Sequence, residues 1–127
     1  MDKIAIRREL LAMRRNVSES VRLEHEIAIN ANLCQYINEL AISVCMAYLP
    51  ISGEVDLSPT LDWLVRKGKQ IVLPRVKAKE NSIMEAVAVG IPWREKVAKG
   101  SYGILEPRDN LIVKASAIEL ILVPGIA

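Results

Sequence analysis

One pattern of punctuation constrains this chain more than any other feature. An apolar run, Ile42–Leu49, stops at Pro50. Ser58-Pro59 then opens a segment of helical spacing that Gly68 closes, and a second apolar run, Ile71-Val72-Leu73, stops at Pro74. Short apolar runs bounded by turn formers suit strands buried on both faces. Ser58 is expected to cap the intervening helix, and Pro59 fits its first turn, where a missing N–H has no helical partner. Leu61, Leu64 and Val65 should face inward, and Gly68 suits the left-handed position past the helix end. Strand, helix, strand in this order is a βαβ unit, so the two strands should be parallel. Parallel α/β sheets place ligand sites beyond the carboxyl ends of their strands. Leu49–Glu54, Pro74-Arg75, Val89-Gly90 and Pro124-Gly125 stand at such ends.

The flanking sequence extends the pattern. Residues 2–15 read as a helix with Ile4, Leu10, Leu11 and the stem of Arg14 on one face. Asn16-Val17-Ser18 breaks it, and Ser18 or Ser20 can cap a second helix running to about Glu39. Leu23, Ile27, Ala31 and Cys34 recur at the spacing of an inward stripe. Residues 83–89 alternate weakly, as a third strand would. Gly90–Leu105 is rich in loop formers, and Ala115–Val123 reads as the last strand. The expected fold class is α/β, a three-layer α/β/α arrangement around a mostly parallel sheet. The 127 residues suffice for one domain, residues 1–127.

Composition excludes several classes. With 51% hydrophobic and 25% charged residues, the chain should fold rather than stay disordered. No apolar run reaches the roughly 18 residues of a membrane helix, and no apolar segment follows Met1-Asp2-Lys3, so no membrane partner is expected. Cys34 and Cys45 lie in apolar surroundings without metal-ligand spacing, which fits reduced thiols in a cytoplasmic protein. A net charge of +2 is too balanced to point to nucleic acid. The basic residues are nonetheless grouped. Trp63–Lys79 holds six of them and no acid, and the first 22 residues hold six against three acids. Either stretch could face an anionic small molecule or solvent.

Few residues suggest chemistry. Glu54 is the one acid in the loop after the first strand; it could accept hydrogen bonds from an amine-rich heterocycle or cap its own turn. Arg75 could grip a phosphate or carboxylate through its forked donors, or form a surface ion pair. Lys3 and Arg7, four apart on a helix, reach the same side and suit either a polyphosphate or water. His25, the single histidine, lies between Glu24 and Glu26 without a second ligand at metal spacing. Trp63 reads as a core or helix-surface aromatic and Trp93 as a loop anchor. No nucleophile–base pattern and no GxxxxGK[ST] or GxGxxG loop occurs.

The order of the motifs is more specific than any one of them. Lys3-x-x-x-Arg7 leads to Ala47-Tyr48-Leu49-Pro50 and Gly53-Glu54-Val55-Asp56. Gly68-Lys69-x-Ile71-Val72-Leu73-Pro74-Arg75-Val76 follows, then Met84-Glu85, Tyr102-Gly103-Ile104-x-Glu106-Pro107 and Leu120–Gly125. In this order the whole chain resembles the 5-formyltetrahydrofolate cyclo-ligase (methenyltetrahydrofolate synthetase) family. The resemblance implies an ATP- and Mg²⁺-dependent conversion of 5-formyltetrahydrofolate to 5,10-methenyltetrahydrofolate. It implies that Lys3 and Arg7 meet ATP phosphates, that Leu49 and Glu54 line the reduced-folate pocket, and that Tyr102 stands near substrate. Arg75 belongs to a family motif and is a candidate anion contact. No catalytic side chain and no metal ligand is assigned.

Two departures bear on that expectation. The family carries Asp where this chain has Glu119. After Pro-Gly the family continues into a glycine-rich nucleotide-binding segment with a metal-binding Asp, which has no counterpart here. The expectation is a C-terminally truncated cyclo-ligase with weak or no activity of its own, whose last strand can pair with a second copy. The alternatives are a non-catalytic folate- or nucleotide-binding remnant and a protein-interaction module.

Overall fold

The computed structural model describes residues 2–78, 83–100 and 103–125. The first helix, α1, spans Lys3–Arg15, with the Asp2 carboxylate accepting from the Ile4 amide at 3.1 Å. The second, α2, spans Glu19–Leu40, and Ser18 is its cap: the hydroxyl accepts from the Val21 amide at 3.3 Å. Strand β1 is Val44–Met46, helix α3 is Ser58–Arg66, and strands β2 and β3 are Gln70–Ala78 and Ile83–Val89. A short hairpin follows, β4 (Val97–Lys99) with β5 (Leu105–Pro107), and then β6 (Leu120–Ile121).

The main sheet has the order β3-β2-β1-β6. β1 runs parallel to both β2 and β6, whereas β3 returns antiparallel to β2. The α/β class, the mostly parallel sheet and the βαβ unit are therefore as expected. Ile37 of α2 and Leu61 and Leu64 of α3 form one core cluster with Cys45, Ile71, Leu73 and Val89 of the sheet. Burial pushes the Cys45 thiol up to about 11, so it stays protonated. Both cysteines are free.

The end of α3 follows the expected chemistry closely. Gly68 adopts a φ of 70°, its amide donates to Val65 O, and the Lys69 amide reaches back to Leu64 O. These two bonds satisfy carbonyls that the helix end would otherwise leave open. Its start departs from expectation. Ser58 is already helical and Leu57 holds the cap position without a side-chain bond. Asp56 takes over the capping role nearby, accepting from the Ser58 amide at 2.9 Å and from its hydroxyl at 2.7 Å.

Four further expectations are corrected. On α1, Ile4 is exposed, and Ile6, Leu10 and Leu11 are the half-buried aliphatic residues. On α2, Leu23 and Ile27 are 46% and 71% exposed, and the buried side chains are Asn30 and Ile37. The inward face is turned by roughly a quarter turn from the apolar stripe, because a polar residue occupies its centre. The run Ile42–Leu49 pairs only through Val44–Met46: beyond the bond from the Ala47 amide to Val72 O, the chain leaves the ladder while Tyr48 and Leu49 still pack on the core. The expected strand over Ala115–Val123 reduces to Leu120–Ile121, preceded by a 3-10 turn at Ala115–Ala117. Glu119 starts that strand, its Oε1 accepting from the Ser43 and Val44 amides at 2.9 and 3.0 Å.

Pro74 does not stop β2, and the reason is the direction of its backbone. The Gln70 amide donates to Ser43 O and Val72 O accepts from Ala47, so even-numbered residues of β2 address β1. Pro74 is the next residue on that side, past the last pair Met46↔Val72, where no ladder bond would be made. The Val76 amide on the same side is taken by the buried Glu106 carboxylate of β5. Glu106 in turn lies where a Cβ on residue 100 would stand, so a side chain there would have to push the carboxylate off the Val76 amide. The hairpin thus takes the place of a strand beside the outer half of β2, in a region read from sequence as loop.

Candidate functional site

The chain segment leaving β1 forms a turn at residues 51–54. Glu54 closes it twice: its amide donates to Ile51 O at 3.0 Å, and its Oε1 accepts from the Ile51 amide at 2.9 Å. Gly53 makes the turn possible with a φ of 82°. The Arg14 guanidinium lies over Gly53 where a side chain would otherwise project, and its Nη2 donates to Ser52 O at 3.4 Å. Of the two roles open to Glu54, turn capping is therefore seen directly. One carboxylate oxygen is used, and the half-buried side chain keeps a second acceptor.

Downstream, the loop is stitched to α2. Asn30, 4% exposed, donates from Nδ2 to Glu26 O and to Asp56 O, both at 2.9 Å. Its Oδ1 accepts from the buried Thr60 hydroxyl at 2.6 Å, and the Cys34 thiol donates to the same Thr60 oxygen. The Glu26 carboxylate accepts from the Asp56 amide at 3.2 Å. Tyr48 completes the frame, its hydroxyl donating to Val55 O at 3.0 Å. Burial and then the nearby charges of Glu54, Glu26 and Asp56 hold the Tyr48 phenol above its ordinary range.

The other expected site residues fall as follows. Leu49 is half-buried in the segment leading into the Glu54 turn and packs on the core. Lys3 and Arg7 lie exposed on α1, on the stripe that continues to Arg14. Arg75 is committed to protein partners at all three nitrogens. Nε and Nη2 each lie 2.8 Å from Glu85 Oε1, and Nη1 donates to Asp109 O at 2.7 Å and Pro107 O at 3.4 Å. It ties β2 and β3 to the segment after β5, which is the ion-pair role rather than a free anion contact. Tyr102 lies outside the described residues. His25 is exposed, Trp63 half-buried, and Trp93 is buried with its Nε1 donating to Asp62 at 2.9 Å, the anchor expected of it.

The basic stretch from Trp63 onward is no single face: Lys69 bonds to Ile42 O and Arg75 pairs with Glu85. Among the described residues no three His, Cys, Asp or Glu side chains gather as metal ligands. Sequence reasoning missed Arg14, Tyr48 and Asn30. Arg14 had a readable signal, since residues 3, 7 and 14 share one helical stripe. Asn30 had none in a hydropathy pattern.

The sequence model of the 5-formyltetrahydrofolate cyclo-ligase family matches residues 1–127. The chain belongs to that family. Its fold is similar to the solution structure of 5,10-methenyltetrahydrofolate synthetase from Aquifex aeolicus, with a TM-score of 0.83 and 31% identity, over 100% of this chain and 62% of that one. It is also similar to a 5,10-methenyltetrahydrofolate synthetase from Mycoplasma pneumoniae, with a TM-score of 0.70 and 20% identity, over 98% of this chain and 64% of that one. The chain thus spans less than two thirds of the length of these structures. No curated protein matches it in sequence.

The raised Tyr48 pKa gives a pH prediction. The unfolded chain releases the phenol proton near pH 10 and the folded chain only above that, so stability should fall as pH rises through the ordinary tyrosine range and beyond. Denaturant titrations between pH 8 and 11 should show this loss, and Tyr48→Phe should reduce it. An equal alkaline loss in Tyr48→Phe would place the titrating group elsewhere.

Proposed function

We propose that this chain carries the folate-facing part of an ATP- and Mg²⁺-dependent cyclo-ligase that converts 5-formyltetrahydrofolate to 5,10-methenyltetrahydrofolate. The family match carries the reading, and the geometry supports it at Glu54. That half-buried carboxylate stands in the turn past the end of a parallel strand, the position where α/β sheets bind ligands. Its second oxygen suits the N–H donors of a pterin ring or the formyl side of the substrate, with Leu49 and Tyr102 as further pocket residues.

Ring closure needs the formyl oxygen turned into a leaving group. Transfer of the ATP γ-phosphoryl group to that oxygen, attack of N10 on the formyl carbon, loss of the N10 proton to solvent and departure of phosphate with that oxygen balance the reaction. Such chemistry calls for cations around developing charge rather than for a protein nucleophile. Lys3 and Arg7 are exposed, share one face of α1 and would meet the phosphate chain. Mg²⁺ typically enters with phosphate oxygens and few carboxylates, offsetting their charge.

Titration of 5-formyltetrahydrofolate into the chain should give saturable binding that Glu54→Gln weakens about tenfold or more, since a hydrogen bond to a charged group contributes about 1.5–3 kcal/mol. Gln can keep the bond to Ile51 while it replaces the second, charged acceptor with an amide donor, so the change removes the acceptor offered to the ligand. Lys3→Ala with Arg7→Ala should weaken ATP binding and spare folate. Unchanged folate affinity in Glu54→Gln would remove Glu54 from the pocket. A non-catalytic binding module is the second reading. Folate or ATP binding without turnover, followed by methenyltetrahydrofolate absorbance, would select it, and binding of neither would point to a protein-interaction module.

The reading fits the cytoplasm as the place of reduced-folate chemistry. No helix among the described residues is long and apolar enough to cross a membrane. A small-molecule partner is favoured over nucleic acid by the near-balanced charge. The β6 edge also supports pairing with a second copy, because Ile121 and Val123 are 55% and 77% exposed there. Light scattering should then show mass rising with concentration, and Ile121→Lys should suppress the rise. A mass fixed at one copy throughout would contradict this pairing.

A further inference from the structure

A cleft of about 620 Å³ lies between the C-terminal end of α1, the start of α2 and the 51–54 turn. Arg14, Arg15 and Arg22 bring three guanidiniums to its wall, Ser52 and Gly53 bring the turn, and Glu19 is the one carboxylate among its lining residues. Among the described residues Arg15 and Arg22 form no ion pair, and Arg14 makes only its 3.4 Å bond to Ser52 O. Three cations around one concavity with a single counter-charge leave a positive potential that is focused by the walls. Guanidinium forks match the geometry of carboxylate and phosphate oxygens.

The same concavity is polar where the groove between α2 and α3 is apolar. That groove is lined by Leu23, Ile27, Ala31, Cys34 and Trp63, and its chemistry names no occupant. The arginine cleft does name one.

We propose that the cleft formed by Arg14, Arg15 and Arg22 binds a multivalent oxyanion, either a phosphate chain or a run of carboxylates. Arg15 and Arg22 are exposed and supply the direct contacts, while Arg14, held against Gly53, backs them and fixes the cleft beside the Glu54 turn. The site is separate from the position of Lys3 and Arg7. Arg7 and Arg15 are eight residues apart on α1, about 12 Å along the helix axis.

The test uses two probes without a pterin or a nucleoside, and the Arg15 and Arg22 variants separate the cleft from the phosphate position proposed at Lys3 and Arg7. Inorganic tripolyphosphate and triglutamate are each titrated calorimetrically into the 127-residue chain at low and moderate salt. At least one should bind, with affinity that falls as salt rises. The Arg15→Ala, Arg22→Ala double variant, checked for native circular dichroism, should bind tenfold or more weakly. A Lys67→Ala, Lys99→Ala control, exposed and outside the cleft lining, should stay within about twofold. Glu19→Gln should tighten binding severalfold, and it keeps the test decisive if the double arginine variant fails to fold. Binding of tripolyphosphate alone that the double arginine variant loses assigns the cleft to a phosphate chain, and binding of triglutamate alone that it loses assigns the cleft to carboxylates. Binding of both assigns it to multivalent oxyanions at large. Binding of neither overturns the proposal, as does a loss in the Lys67/Lys99 control equal to that in the double arginine variant, or affinity unchanged by both the double arginine variant and Glu19→Gln.

Discussion

A single buried amide organises the part of this protein where function is expected. Asn30 donates twice from one nitrogen, to its own helix at Glu26 O and across to Asp56 O, while its oxygen receives the Thr60 hydroxyl. A buried amide without such partners would destabilise the fold, so the bonds hold only if α2, the 54–57 segment and α3 keep one mutual arrangement. That arrangement sets the direction in which the chain enters α3. It also places Tyr48 under Val55 and leaves Glu54 to close its turn on the core side of Arg14. Each unsatisfied group would cost about 1–3 kcal/mol, a large share of the stability of a domain this small.

The same amide explains where the sequence could be read and where it could not. The βαβ unit was legible because Pro50, Pro59, Gly68 and the two apolar runs all act locally, through backbone geometry. The Gly68 motif needs nothing from outside its own helix. The face of α2 was not legible, because hydropathy ranks Ile27 above Asn30 while the structure buries Asn30 and exposes Ile27. Only the partners of Asn30, 26 and 30 residues further along the chain, reverse that order. Pro74 was misleading for a related reason. Whether a proline ends a strand depends on which neighbour its missing N–H would have addressed, and that is a property of the sheet.

The candidate site divides in the same way. Glu54 stands out in the sequence by its position after a strand, and the structure shows it in the turn-capping role. Lys3 and Arg7 were found as a helical pair, yet the stripe they begin continues to Arg14, which contacts the Glu54 turn. Arg75 had a plausible anion role until its neighbours were seen: Glu85 and two backbone carbonyls use its donors. At the end of β1 the structure shows a carboxylate in the turn, Glu54, with one cation of α1, Arg14, against it.

The central claim is that Asn30 holds the 54–57 segment in place. Native-state amide exchange on Asn30→Ala tests it most directly. The Glu54 and Asp56 amides, now bonded to Ile51 O and Glu26 Oε1, should exchange at least tenfold faster. Amides in the β2–β3 ladder should change far less. Unchanged exchange at Glu54 and Asp56, or one uniform acceleration over the whole chain, would contradict the account.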